Sequence, residues 1–133
     1  MSLSTRPAAI TDAERRDRLQ QLRGKMEAGG VSAVLLGSTE SLRYFTGLVW
    51  HQSERMLGAL VTPTALTYIV PAFERSRVET LPHLSGDIAT WEEEESPAAL
   101  VATLAGTKGG IALDDALPLF IYHTLVRNLG VER

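Results

Sequence analysis

Cysteine is absent from the 133 residues. That removes disulfides, zinc–cysteine centres and cysteine nucleophiles, and it suits a reducing cytoplasm. Long apolar runs are missing too: none approaches the roughly 18 residues that a membrane helix needs. Met1 to Thr11 is short and polar, with no apolar core, so no signal peptide is expected. A basic excess is also lacking. Thirteen Lys and Arg stand against 16 Asp and Glu, for a net charge of −3, which argues against a nucleic-acid partner. The most basic stretch, Arg15, Arg16 and Arg18, is interleaved with Asp12, Glu14 and Asp17 and reads as a solvated helix face. With 44 % hydrophobic and 22 % charged residues, the chain has enough apolar surface for a core, and one domain is the expectation.

Catalytic motifs are equally scarce. There is no Walker loop, no Rossmann glycine fingerprint, no His-Glu-x-x-His and no Gly-x-Ser-x-Gly. The histidines His51, His83 and His123 sit on three separate segments, none with a second ligand at metal spacing. Each reads as a surface or hydrogen-bonded histidine. The run Glu92 to Glu95 reads as solvated charge.

What is present is a pattern of alternating elements. Thr11 and Glu14 form a capping-box signature, Leu19, Leu22 and Met26 recur on one helical face, and Gly29-Gly30 stops the helix. Val31 to Leu36 follows as a nearly unbroken apolar run, the mark of a strand buried on both faces. A short helix is expected over about 39–45, ending near Gly47, where a positive φ favours glycine. Leu48 to Glu54 is a loop with Trp50 and His51. Leu57–Val61 and Leu66–Val70 read as an antiparallel hairpin across Thr62-Pro63-Thr64-Ala65. Pro71 then opens a helix expected over about 72–81. A strand over Asp87–Trp91, a helix capped by Ser96 with Pro97 in its first turn, a strand over Ile111–Leu113 and a last helix from Leu119 to about Leu129 complete the pattern. Val131 begins what reads as a further strand, so the chain is expected to be a piece of a longer one. The expected fold class is α/β: a three-layer sandwich, with a mixed sheet of about five or six strands and helices on both faces.

Ser41-Leu42-Arg43-Tyr44-Phe45-Thr46-Gly47 carries a resemblance. A short helix, an aromatic pair, a hydroxyl residue and glycine resemble the N-terminal domain of the creatinase, prolidase and aminopeptidase P proteins. The neighbouring strand Ser32–Leu36, the glycine-containing strand Leu57–Val61, Tyr68-Ile69-Val70-Pro71 and the later Gly-Gly-Ile-Ala-Leu-Asp-Asp are similar to that family in order and spacing. Ser41 departs from the asparagine often found there, and still caps a turn. By residue chemistry alone, Tyr44 and Phe45 are adjacent on a short helix, so only part of the pair faces the core.

The resemblance implies a flexible stretch over 1–10, a creatinase/prolidase N-terminal-like domain over 11–133, and a separate C-terminal domain holding two divalent metal ions (Mn, Co or Zn). It implies no catalytic residue or metal ligand in this segment. It implies a cytoplasmic homodimer acting on proline-containing peptides, without nucleic acid or membrane. It further implies that Arg55, with Trp50 and His51 nearby, reaches toward the substrate of a neighbouring subunit. The alternative for Arg55 is a surface salt bridge, for instance with Glu54 or Glu74, and for Trp50 a return onto its own domain. Two further readings stay open at this stage: a creatinase-like amidinohydrolase parent, and a stand-alone α/β binding module.

Overall fold

In the computed structural model the described residues are 10–106 and 109–129. The stretch 1–9 of the expected flexible N-terminus and the strand expected from Val131 lie outside them.

Helix α1 (Asp12–Gly29) begins at the anticipated capping box, with Thr11 and Glu14 each accepting from the other's backbone N–H. It ends at Gly30, whose φ of 69° places it in the left-handed region. Strand β1 (Val31–Leu36) and helix α2 (Glu40–Thr46) follow. Thr39 caps α2, and Gly47 closes it at φ 83°, as the sequence required. Strands β2 (Gly58–Val61) and β3 (Leu66–Pro71) pair antiparallel. Their turn is held by Thr62 and Ala65, the Thr62 side chain accepting from the Ala65 N–H.

The helix expected over 72–81 is split. A 3-10 turn (Ala72–Glu74) precedes a six-residue helix α3 (Arg75–Thr80). Pro71 is still a strand residue, paired with Trp91, and no side chain caps the helix start. The first turn therefore tightens, so that the Arg75 N–H finds the Ala72 carbonyl. At the other end Leu81 precedes Pro82, which disfavours helical backbone, and it is extended at φ −87°, ψ 148°. Strand β4 (Asp87–Trp91), helix α4 (Pro97–Ala105, capped by Ser96), strand β5 (Gly110–Leu113) and helix α5 (Leu119–Leu129) complete the described chain.

The sheet order is β4-β3-β2-β1-β5. It is mixed: β1 pairs β2 antiparallel and β5 parallel, and β3 pairs β4 parallel. Strand alternation divides the interior into two cores. Val34, Leu36, Ala59, Val61, Tyr68 and Val70 pack with Leu19, Met26, Leu42 and Val78 of α1, α2 and α3. Ala33, Leu35, Leu60 and Ile69 pack on the other face with Ala98, Val101, Ile121 and Leu125 of α4 and α5. The chain is a three-layer α/β sandwich, and β1 is buried on both faces for the reason its apolar run suggested.

One expectation needs correction. The arginine-rich stretch of α1 is not uniformly solvated: only Arg16 of its three arginines is fully exposed. Arg18 donates from Nη1 to the Tyr44 carbonyl at 2.7 Å, with its guanidinium 4.0 Å from the Tyr44 ring centre. Arg15 lies against Gly47. Further along α1, Arg23 donates to the carbonyls of Thr62 and Ala65 at 2.8 and 3.1 Å. Arg18 and Arg23 lay their stems along the domain and spend donors on backbone carbonyls of other segments.

Candidate functional site

Strands β1, β3, β4 and β5 share one direction, because β2 is antiparallel to both β1 and β3. Their carboxyl ends and the start of β2 therefore lie along one edge of the sheet, the edge where open α/β sheets bind their ligands. Loop 48–57 reaches this edge from α2. Its two ends are fixed. Leu48 is buried and donates its N–H to Thr46 Oγ1 at 3.1 Å. Met56 and Leu57 are buried, and their carbonyls accept from the Trp91 indole at 3.1 Å and from the Ser38 hydroxyl at 2.7 Å.

Between these anchors the three expected site residues meet different surroundings. Trp50 is half-buried against the core under α1, α2 and α3, with the Arg77 guanidinium 4.8 Å from its ring centre. His51 is exposed. Arg55 donates from Nε to Glu93 Oε1 at 2.5 Å, has Glu54 3.6 Å from Nη1, and holds its guanidinium 5.1 Å from the Phe73 ring centre. Its side chain is 40 % exposed. The bond to Glu93 holds the Arg55 pKa above its ordinary value, and the same bond holds the Glu93 carboxyl below the usual carboxylate range. Of the two partners the sequence suggested, Glu54 is an ion-pair partner and Glu74 is not, and Glu93 is one that it did not suggest.

The strand register explains why. Pro71 of β3 lies beside Trp91 of β4, so Phe73 and Glu93 leave the sheet two residues later on neighbouring strands. Gly58 lies opposite Ile69, which brings the residues before β2 against those after β3. An acidic run following a strand is the only linear signal of Glu93, and it is silent about the partner.

Next to this cluster a cleft of about 170 Å³ is lined by Met56, Trp91, Pro97, Ala98 and Phe120, with Glu54 on its wall. It is well below the size of an ordinary small-molecule site. Directly after β5, Asp114 is buried and accepts from the Gly37 N–H, the Thr39 hydroxyl and the Ala116 N–H. This carboxylate ties the β1–α2 turn to the β5–α5 turn and keeps the edge in shape. His83 places Nδ1 2.6 Å from the Leu81 carbonyl and its ring edge-on to Tyr68, a hydrogen-bonded histidine as expected. Among the described residues no three His, Asp or Glu are placed so that together they could hold a metal ion. Nor, among them, is any helix long and apolar enough to cross a membrane.

The profile of the Creatinase/Prolidase N-terminal domain matches residues 18–132. The chain belongs to this family. Solved structures agree on the fold. Dipeptidase PepE from Mycobacterium ulcerans superposes with a TM-score of 0.83 at 22 % identity, over 93 % of this chain and 34 % of that one. The Creatinase/Prolidase N-terminal domain of an X-Pro dipeptidase from Streptococcus pyogenes gives 0.70 at 24 % identity, over 84 % and 86 %. A prolidase from Thermococcus sibiricus gives 0.73 at 17 % identity, over 92 % and 33 %. The chain therefore spans about a third of PepE and of the prolidase, and most of the separately solved domain. None of the curated protein sequences matches it.

Proposed function

We propose that this chain is the non-catalytic N-terminal domain of a cytoplasmic, homodimeric Xaa-Pro peptidase. In this reading it supports dimerisation and shapes substrate access, while a separate C-terminal domain holds two divalent metal ions and breaks the bond before proline. The observation that carries it is the extent of the likeness. The same fold occupies about a third of PepE and of the prolidase. Arg55 is its point of contact with chemistry. A guanidinium grips a carboxylate through two parallel hydrogen bonds. Reaching into a partner subunit's site, Arg55 would bind the free carboxylate of a dipeptide and favour short substrates. Trp50 and His51 are carried on the same loop, and the part of Trp50 not packed into the core would offer an apolar wall to a proline ring.

Purified chain incubated with Ala-Pro or Gly-Pro and Mn²⁺, Co²⁺ or Zn²⁺ tests the non-catalytic assignment. No hydrolysis is expected. Metal-dependent turnover that survives repurification would overturn it.

A further inference from the structure

Arg55 is held from two sides before any ligand arrives. Its backbone is pinned by the buried Met56 and Leu57 that follow it, and by Ser53, whose hydroxyl accepts from the Arg55 N–H and donates to its carbonyl, both at 3.2 Å. Beyond the backbone, Glu93 takes the Nε–H at 2.5 Å, and the exposed Phe73 underlies the guanidinium at 5.1 Å. Glu54 lies 3.6 Å from Nη1, outside hydrogen-bond range. A guanidinium has five donors in a rigid fork. One is committed to Glu93, and the terminal edge formed by Nη1 and Nη2 keeps the geometry for a two-point grip. An exposed ion pair of this kind contributes little to stability; what it fixes is direction. Phe73 is itself unusual for a solvent position, at 62 % exposure, and the cation above its ring gives that exposed face a use.

We propose that Glu93 and Phe73 form a seat that pre-orients Arg55 and turns its terminal guanidinium edge, which Glu54 approaches only to 3.6 Å at Nη1, toward a substrate carboxylate. The inference rests on the reading of Arg55 given under Proposed function. Glu93 and Phe73 are positioning residues: they touch the arginine and not the substrate. Their contribution is the side-chain ordering that binding would otherwise have to supply.

The test is steady-state kinetics of Glu93→Gln and Phe73→Ala in the full-length peptidase, beside Arg55→Ala, with a free dipeptide and its C-terminal amide. Each seat variant should raise KM for the free dipeptide about three- to tenfold, from the cost of ordering one long side chain, with kcat nearly unchanged. The amide should be indifferent, Glu93→Asp should recover part of the loss, and neither seat variant should add to Arg55→Ala. If Arg55→Ala raises KM but Glu93→Gln leaves it unchanged or lowers it, the seat is refuted while the role of Arg55 stands; a lowered KM would mean that Glu93 competes with substrate. If Arg55→Ala itself leaves KM unchanged, the underlying reading fails and the seat with it.

Discussion

Tyr68 offers a quantitative check on the core that supports the site. Its side chain is fully buried in the middle of β3 and its hydroxyl donates to the Leu84 carbonyl at 2.5 Å. Leu84 in turn donates its N–H to Thr46 at 2.7 Å, so this bond ties loop 81–86 to the end of α2. Tyr68→Phe removes the donor and keeps the ring. A net loss of about 1–1.5 kcal/mol is expected at pH 7, or about 3–6 °C in Tm for a domain of this size. Burial also pushes the Tyr68 hydroxyl up to about 12 from its ordinary 10. The sign follows from which state ionises first. Below pH 10 the hydroxyl is protonated in both states, and its contribution is fully present. Between pH 10 and 12 the unfolded chain loses the proton while the fold keeps it, so stability falls. At pH 11 the loss is about 1.4 kcal/mol. Phenylalanine cannot ionise, and every other titration is common to both proteins. The two stabilities should therefore converge near pH 11 and cross above it. Urea denaturation of both proteins at pH 7, 10 and 11 measures the difference. A gap that stays constant from pH 7 to 11 would refute the account of Tyr68 as a buried, protonated donor.

Gly58→Ala should be severely destabilising, by more than about 3 kcal/mol, because the new Cβ would lie 2.0 Å from the Leu36 carbonyl oxygen in the neighbouring strand; denaturant midpoints, or recovery in the insoluble fraction, report it, and a near-native midpoint would contradict the β1–β2 packing. The full-length peptidase should be a homodimer by light scattering, with this chain contributing to the interface, and a strict monomer at high concentration would refute that part of the proposal.

Local signals in the sequence were read correctly where a short segment settles its own structure. The Thr11–Glu14 box, the glycines at 30 and 47, the two-faced β1 and the Ser96-Pro97 helix start all depend on neighbours within a few residues. Tyr44 and Phe45 behaved as their adjacency demanded, one exposed and one packed. The misreadings involve partners distant in sequence. Arg18 of α1 looked solvated because the Tyr44 carbonyl it reaches lies 26 residues away. Glu93 lies 38 residues from Arg55, and only the parallel pairing of β3 with β4 places it there. The split of the 72–81 helix depends on Pro71 remaining in the sheet, which its pairing with Trp91 decides.

The central claim is that this domain serves catalysis by offering Arg55 to a substrate carboxylate rather than by doing chemistry. The most direct measurement is kcat/KM of Arg55→Ala and Arg55→Lys in the full-length peptidase, with a free Xaa-Pro dipeptide and with its amide. Loss of a charged hydrogen-bond pair predicts a roughly 10- to 100-fold fall for alanine with the free dipeptide. Lysine should recover only part of it, because a point charge cannot reproduce the two-point grip, and the amide should be nearly indifferent. Unchanged free-dipeptide kinetics in Arg55→Ala, with the dimer intact, would show that Arg55 is a solvated loop residue paired with Glu93 and would contradict the account.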